Sequence, residues 1–156
     1  KDLYNSTSFH SYCYIECGIF DFNKEELPDW WEGEGFNPST KEQSDILFQK
    51  MKEAAKYFEG EHDFKGFSSV KKTNKSTVRT VNRIDFEVKD RELHIIFEGD
   101  GFLYNMVRIM AGTLIEVGTG DREPESVKDV FRTKDREKAG MTLPPQGLFL
   151  DEVFYE

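Results

Sequence analysis

The amino-acid sequence predicts an α+β fold, in which a mostly antiparallel sheet carries its helices on one face. Residues 84–88 and 93–97 alternate between apolar and polar side chains and flank the stretch KDRE, a pattern typical of a β-hairpin with one buried face. Two longer segments place apolar residues three and four positions apart, which is typical of helices. Since the buried face of the hairpin must be covered, the helices form a second layer and leave the other face open to a partner.

The first predicted element is a strand at residues 9–20, FHSYCYIECGIF, which is rich in aromatic and β-branched residues. The acidic stretch at 20–40 contains two prolines and two glycines, which predicts a long loop or insertion. Its neighbouring Trp30 and Trp31 are expected to hold this loop against the domain in preference to binding a ligand.

A helix of about eighteen residues is predicted next, capped by Ser39 or Thr40 and ended by Gly60. The following residues, EHDFKGFSS, are predicted to form a polar turn that Phe64 and Phe67 anchor before the hairpin begins. The apolar stripe of the helix consists of Leu47, Met51, Ala54, Ala55 and Phe58.

The most apolar run of the chain is GFLYNMVRIMAGTLIEVGTG at residues 101–120, which predicts a helix buried nearly all round. Gly118 and Gly120 are expected to end it. A shorter helix is predicted at REPESVKDVFRTK, with Pro124 in its first turn. After the loop KAGMTLPPQ, the segment GLFLDEVFYE predicts the last strand.

Length and composition favour a single globular domain spanning residues 1–156, with 37% hydrophobic and 33% charged residues. No run approaches the roughly 18 apolar residues of a membrane span, and the first residues lack a signal-peptide pattern. Cys13 and Cys17 lie four positions apart, which on one strand separates them by about 13 Å and prevents a disulfide. Reduced thiols predict a cytoplasmic protein.

Charge is unevenly distributed along the chain. The net charge of -9 by itself argues against a nucleic-acid partner. Residues 65–79, KGFSSVKKTNKSTVR, nevertheless carry five cations and no acid, whereas residues 16–63 carry thirteen acids and five cations. This basic segment (residues 65–79) either faces a phosphate backbone or is a solvated loop, and the charges alone leave both interpretations open.

Polar residues stand near the predicted start of the 101–120 helix, just after a tight GDG turn. Free N–H groups at a helix start favour anions, and Arg108, one turn further in, would be costly to bury without a partner. The pattern indicates either a helix end that lines a cleft or a partly exposed helix end with a surface arginine. The residues placed at the helix start are Phe102, Leu103, Tyr104 and Asn105.

Several segments resemble the tRNA pseudouridine synthase A family. GFLYNMVRIMAGTLIEVGTG resembles the family pattern GFLxxMVRxxxGTLxEVGxG, and AAKYFEGEHDFKGFSS resembles AAxxLxGxHDFxxF. KSTVRTV is similar to the family's Ser or Thr followed by Arg at the start of the hairpin, and DREKAGMTLPPQGLFLDEVFY to DRxxAGxTAPPxGLxLxxVxY. These segments span residues 54–155 in the family's order, and YCYI at 12–15 resembles its YxYxI strand.

The resemblance implies a parent enzyme that isomerises uridine to pseudouridine in the tRNA anticodon arm, as a homodimer and without a redox cofactor or a metal. The family's catalytic aspartate lies in an N-terminal motif, GRTDxGVHA, which has no counterpart here. The chain is therefore expected to be the C-terminal half of the enzyme, inactive alone, with the missing half supplying the nucleophile. The alternatives are a non-catalytic module that binds RNA or a protein partner, and a domain kept for dimerisation.

The resemblance also assigns a uracil pocket. Tyr12 would stack on the flipped base, which returns roughly 1–3 kcal/mol of the cost of unstacking it. The apolar wall under the uracil would be formed by Phe102, Leu103 and Tyr104.

Further residues are expected to line the cleft and contact RNA. Arg79 would hold a phosphate or fill the space that the flipped base leaves, and Arg108 would pair with a carboxylate of the missing half. Asn105 would either make a hydrogen bond at the helix start or contact the substrate. The lysines expected to contact the RNA backbone, without base specificity, are Lys65, Lys71, Lys72 and Lys75.

Overall fold

The computed structural model describes the backbone of residues 9–18, 41–89 and 92–155, and the side chains of residues 45–87 and 93–153. Every predicted strand and helix is found within these ranges, together with one additional short strand. The helices are α1 (Lys41–Phe58), α2 (Met106–Gly118) and α3 (Ser126–Thr133), and the strands are β1 (Phe9–Gly18), β2 (Gly60–Asp63), β3 (Val78–Lys89), β4 (Glu92–Gly99) and β5 (Leu148–Tyr155).

The five strands form one sheet in the order β2-β3-β4-β1-β5, and every neighbouring pair is antiparallel. The strand nearest the start of the chain therefore lies inside the sheet, between β4 and β5. Its Cys13 stands opposite Phe97 of β4 and Leu150 of β5. This arrangement confirms the predicted antiparallel sheet.

Helices cover one face of the β3–β4 hairpin. Phe97 of β4 is fully buried, and Phe86 of β3 meets Phe48 of α1 edge-on, with ring centroids 5.8 Å apart. On the opposite face, the Nε of Arg83 lies 2.7 Å from a carboxylate oxygen of Glu98. The apolar alternation of the hairpin thus meets the helical layer, and the predicted α+β arrangement is confirmed.

Helix α2 is the centre of the core, as predicted from its apolar composition. Eleven of its thirteen residues are buried, so it is covered on nearly every side. The loop at 139–147 lies directly against it: the Oγ1 of Thr113 accepts a 2.9 Å hydrogen bond from the backbone N–H of Gly140. A Cβ on Gly112 would overlap the carbonyl oxygen of Met141, so only glycine permits this close approach.

The predicted start of the 101–120 helix is wrong by several residues. α2 begins at Met106, and Asn105 before it has a φ of 60°, in the left-handed region. Asparagine tolerates this conformation better than most residues, and a left-handed residue interrupts a right-handed helix. Residues 102–105 therefore form a turn in front of the helix instead of its first turn.

Two other boundaries also differ from the prediction. The predicted polar turn EHDFKGFSS contains β2 and a short 3-10 helix, Lys65–Phe67. A four-residue strand without apolar alternation is held by backbone pairing with β3, which periodicity does not reveal. Helix α3 begins at Ser126, so Pro124 lies before it and not in its first turn.

Some predictions lie outside the described residues. These are the acidic stretch 20–40 with Trp30 and Trp31, the cap of α1 at Ser39 or Thr40, the last two residues of the predicted first strand, and the centre of the KDRE turn. Helix α1 has the predicted eighteen residues.

Candidate functional site: a cleft beside the start of the central helix

The turn before α2 is fixed by hydrogen bonds to the basic segment. The backbone N–H of Ser69 donates to the carbonyl oxygen of Tyr104 over 2.9 Å. The side-chain amide of Asn105 donates to the Oγ of Ser69 over 3.1 Å. The left-handed conformation of Asn105 therefore turns its side chain toward a neighbouring loop, and it makes no capping hydrogen bond to its own helix.

Arg108 connects this turn to the loop at 139–147. Its Nε donates a 2.7 Å hydrogen bond to the carbonyl oxygen of Leu143, and its Nη1 donates a 2.8 Å hydrogen bond to the Oδ1 of Asn105. Both acceptors are neutral, and among the described residues Arg108 forms no ion pair. Two polar groups of the chain itself therefore already hold the guanidinium of Arg108.

An open cleft of about 520 Å³ lies beside this turn. One wall comes from the basic segment, a second from the 102–105 turn and the first residues of α2, and Pro145 and Leu148 close a third side. The cleft brings together seven of the predicted site residues, namely Lys75, Arg79, Phe102, Leu103, Tyr104, Asn105 and Arg108.

The three apolar residues of the turn differ in exposure. Phe102 is 7% exposed and belongs to the core, and Leu103 packs against the core from the cleft side. Tyr104 is 69% exposed and stands at the rim of the cleft. Phe102 and Leu103 thus offer an apolar floor, whereas the ring of Tyr104 presents most of its surface to solvent.

The cations of the basic segment are spread along it. Lys75 and Arg79 line the cleft, and Nη1 of Arg79 donates to the carbonyl oxygens of Ser76 and Val78 over 2.9 and 2.8 Å. Lys65, Lys71 and Lys72 are also exposed, but they do not line the cleft. Lys65 begins the 3-10 helix. The segment therefore offers positive charge both inside the cleft and outside it.

Tyr12 is described only through its backbone. It lies in β1, opposite Glu98 of β4 and Glu152 of β5. The predicted stacking of its ring on a base therefore concerns a side chain outside the described residues.

Residues 54–156 match the family model of the tRNA pseudouridine synthases. This chain belongs to that family. It is 43% identical over 149 residues to tRNA pseudouridine synthase A 2 of Clostridium perfringens (strain 13 / Type A), covering 96% of this chain and 57% of that protein. It is 50% identical over 105 residues to tRNA pseudouridine synthase A of Lysinibacillus sphaericus (strain C3-41), covering 67% of this chain and 43% of that protein. The chain spans about half the length of these relatives.

The region that matches the tRNA pseudouridine synthase family contains every residue that lines the cleft. Sequence reasoning missed part of this lining. Pro145 and Leu148 belong to the PPQGL stretch, for which the sequence predicted no role in the site. Behind the lining, the hydroxyl group of Ser69 and the carbonyl group of Leu143 hold Asn105 and Arg108 across 36 and 35 residues, and no local pattern marks such contacts.

A cluster of charged side chains outside the cleft lining contacts the loop at 139–147. The carboxylate of Glu116 accepts a 3.1 Å hydrogen bond from the N–H of Met141 and lies 2.9 Å from the Nε of Arg122. Arg136 donates to the carbonyl oxygen of Gly140 over 2.8 Å. Burial raises the pKa of Glu116 above its ordinary value, although the nearby Arg122 opposes this shift.

No group of three His, Cys, Asp or Glu side chains among the described residues is arranged to hold a metal ion. None of the described helices is both long and apolar enough to cross a bilayer.

Proposed function

We propose that the chain is the C-terminal half of a tRNA pseudouridine synthase that isomerises uridine to pseudouridine in the tRNA anticodon arm. In this proposal the cleft is one wall of the active site, and a catalytic aspartate comes from an N-terminal half. The observation that supports it most is the cleft itself, which combines an apolar floor, a guanidinium and a basic wall within the family-matched region.

The reaction explains why these residue types belong together. The C1′–N1 bond breaks, the uracil turns, and a C1′–C5 bond forms, so the protein must hold a base outside its stack while a bond to it is open. Phe102 and Leu103 form an apolar surface under the uracil, and Tyr12 stacks on the base. Exclusion of water by this surface strengthens each electrostatic contact inside the cleft.

Arg108 is proposed to pair with the carboxylate of the N-terminal half. Its two present acceptors are neutral, so they orient the guanidinium without neutralising its charge. A planar guanidinium held by its Nε and Nη1 still offers donors to a carboxylate. Asn105 acts in this scheme by orienting Arg108 and not by touching the substrate, because both ends of its side-chain amide are engaged.

The basic segment is proposed to follow the tRNA backbone. Lys75 and Arg79 line the cleft and are proposed to hold a phosphate beside the flipped nucleotide, and Lys65, Lys71 and Lys72 extend the positive surface outward. Tyr104, exposed at the rim, stacks on a base at the entrance. These contacts fix position and orientation without reading sequence.

The remaining features of the parent protein are proposals of the same kind. It is a cytoplasmic homodimer without a cofactor, residues 1–156 form one domain, and residues 20–40 form an acidic loop or insertion on it.

The test is a pseudouridine assay on unmodified tRNA. The full-length protein should convert uridine, and residues 1–156 alone should not. Turnover by residues 1–156 alone would overturn the assignment of the nucleophile to the other half. Binding of tRNA without turnover by the full-length protein would favour a non-catalytic RNA-binding module instead.

A further inference from the structure

The basic segment is a long polar connection whose position against the cleft must be fixed by specific contacts. Residues 71–76 are all exposed, yet Thr73, Lys75 and Ser76 line the cleft. Hydrogen bonds from the N–H of Lys75 to Thr73 and from the N–H of Val78 to Ser76 each span two residues and shape the segment only locally. Exposed segments with local contacts tend to open at low free-energy cost.

One carboxylate joins the two ends of this segment. The Oδ1 of Asp63 accepts a 2.6 Å hydrogen bond from the Oγ1 of Thr77, at the far end, and a 3.1 Å hydrogen bond from the N–H of Lys65, at the near end. Beside it, the N–H of Phe64 donates to the carbonyl oxygen of Thr77 over 3.1 Å. The Asp63 side chain therefore joins Lys65 to Thr77, next to the backbone pairing of Asp63 with Val78 that ends β2.

The same carboxylate ties the closed loop to the helical layer. Its Oδ2 lies 3.2 Å from the Nζ of Lys134, which ends helix α3 in a left-handed conformation. The Lys134 side chain is 52% exposed and that of Asp63 27% exposed, so the ion pair is weak and the hydrogen bond from Thr77 is the stronger contact. Burial by itself raises the pKa of Asp63, but the hydrogen bonds from Thr77 and Lys65 and the ammonium of Lys134 lower it overall, which keeps the carboxylate charged.

We propose that Asp63, through Thr77, is the positioning residue that holds the basic segment against the cleft so that Lys75 and Arg79 meet the RNA backbone. The RNA part of this inference rests on the proposed function, whereas closure of the loop does not. Loss of the Asp63–Thr77 contact should free residues 65–78 locally while β4 and α2 stay intact, because the hydrogen bonds and the ion pair of the Asp63 side chain involve neither element.

The variants separate the hydrogen bond from the charge. Thr77→Val keeps the shape of the side chain but removes the hydroxyl donor, and Thr77→Ser restores it. Asp63→Asn removes the charge but leaves an oxygen that accepts from Thr77. Asp129→Asn is the matched control, since its carboxylate is 62% exposed and pairs with Arg132 on the outer face of α3.

Amide hydrogen exchange of the native chain measures closure of the loop without any RNA. Thr77→Val should speed exchange in residues 65–78 at least tenfold and leave α2 and β4 unchanged, and Thr77→Ser and Asp129→Asn should match the wild-type protein. Asp63→Asn should give an intermediate increase. Uniform acceleration across the chain, or none in residues 65–78, would overturn the proposal.

Affinity for tRNA measures the positioning role. Thr77→Val should weaken binding several-fold at low salt, and Thr77→Ser should restore it. Faster local exchange with unchanged tRNA affinity would overturn the role of Asp63 in positioning. If the wild-type chain and the full-length protein bind no tRNA at any salt concentration, the proposed function fails, and the exchange data still support or overturn closure of the loop by themselves.

Discussion

Arg108 and Leu143 bind each other through two hydrogen bonds, although 35 residues separate them. The Nε of Arg108 donates to the carbonyl oxygen of Leu143 over 2.7 Å, and the N–H of Leu143 donates to the carbonyl oxygen of Arg108 over 3.3 Å. Leu143 is 2% exposed, so the first of these bonds serves a carbonyl group in a buried residue. The arginine that faces the cleft thus also holds the loop that closes it.

Arg108→Met should lower the free energy of unfolding of the chain by about 1.5–3 kcal/mol, the range for hydrogen bonds to charged groups. Urea unfolding measures this loss. Arg132→Met is the control: its side chain is 70% exposed in an ion pair with Asp129, and it should change stability by less than about 1 kcal/mol. If the two variants unfold alike, Arg108 does not hold the loop. In the full-length enzyme Arg108→Met should also lower the rate of pseudouridine formation, because a carboxylate would lose its partner.

Two glycines of α2 offer a matched pair of substitutions. Gly112→Ala would drive a Cβ into the carbonyl oxygen of Met141, which belongs to a backbone and cannot yield without moving the loop. We expect a loss of about 1–3 kcal/mol, as for other overpacked sites. Gly118→Ala would meet only the terminal methyl group of Met51, which can rotate away, and alanine favours a helix by about 1 kcal/mol.

Thermal unfolding of both variants checks this difference. Gly118→Ala should lie close to the wild-type protein and Gly112→Ala well below it. The reverse order would mean that the loop does not lie against Gly112 in solution.

Glu116 should make stability depend on pH in a specific direction. Its pKa in the folded chain lies above the ordinary value of 4.5, so the folded state takes up this proton at a higher pH than the unfolded state. As pH falls from neutral through the folded-state pKa, the wild-type chain should therefore gain stability relative to Glu116→Gln, which cannot titrate. Urea unfolding of both proteins at several pH values gives the difference between their free energies of unfolding. The contributions of the other carboxylates cancel in this difference. A difference that is constant or shrinks with falling pH contradicts the prediction.

Binding of tRNA should be weak and sensitive to salt. Each phosphate neutralised contributes about -0.7 to -0.9 to the slope of log affinity against log salt. Changing Lys71, Lys72 and Lys75 to Glu should abolish the binding that remains at low salt. The control changes three exposed lysines elsewhere, Lys56, Lys128 and Lys138, to Glu, which alters net charge equally. Equal losses in both triple variants would point to net charge and not to the basic segment.

Tyr104 should contribute to RNA binding through its ring alone. Tyr104→Ala should weaken affinity for tRNA by about 1–3 kcal/mol, and Tyr104→Phe should not, since stacking needs no hydroxyl group. The slope of log affinity against log salt should be the same for both variants as for the wild-type protein, because no cation is removed. Since the side chain is 69% exposed, folding should be unaffected, and a large loss of stability in Tyr104→Ala would argue for a structural role.

The sequence predicted the elements that follow a periodic pattern of apolar residues. It missed the features that depend on contacts between residues far apart in the chain. The apolar spacing of α1 and α2 and the alternation in β3 and β4 set their lengths and faces, because burial of those faces dominates their stability. The left-handed Asn105 and the four-residue β2 depend on single contacts, Asn105 with Ser69 and the backbone of β2 with β3. Periodicity carries no information about such contacts.

The candidate site divides in the same way. The site residues of the 102–108 stretch were identified through a family resemblance, and the structure brings all of them into one cleft. The partners that orient them, such as the carbonyl group of Leu143, belong to the backbone. Any residue type supplies a carbonyl group, so no side-chain pattern could have marked that position.

The place of β1 inside the sheet has a consequence for synthesis on the ribosome. Its two partners, β4 and β5, follow it by about 80 and 140 residues. At roughly 5–20 residues per second, β1 leaves the exit tunnel about 4–16 s before β4 and about 7–28 s before β5. Until β4 emerges, both edges of β1 are open to other chains. This is the condition under which nascent strands aggregate or bind chaperones.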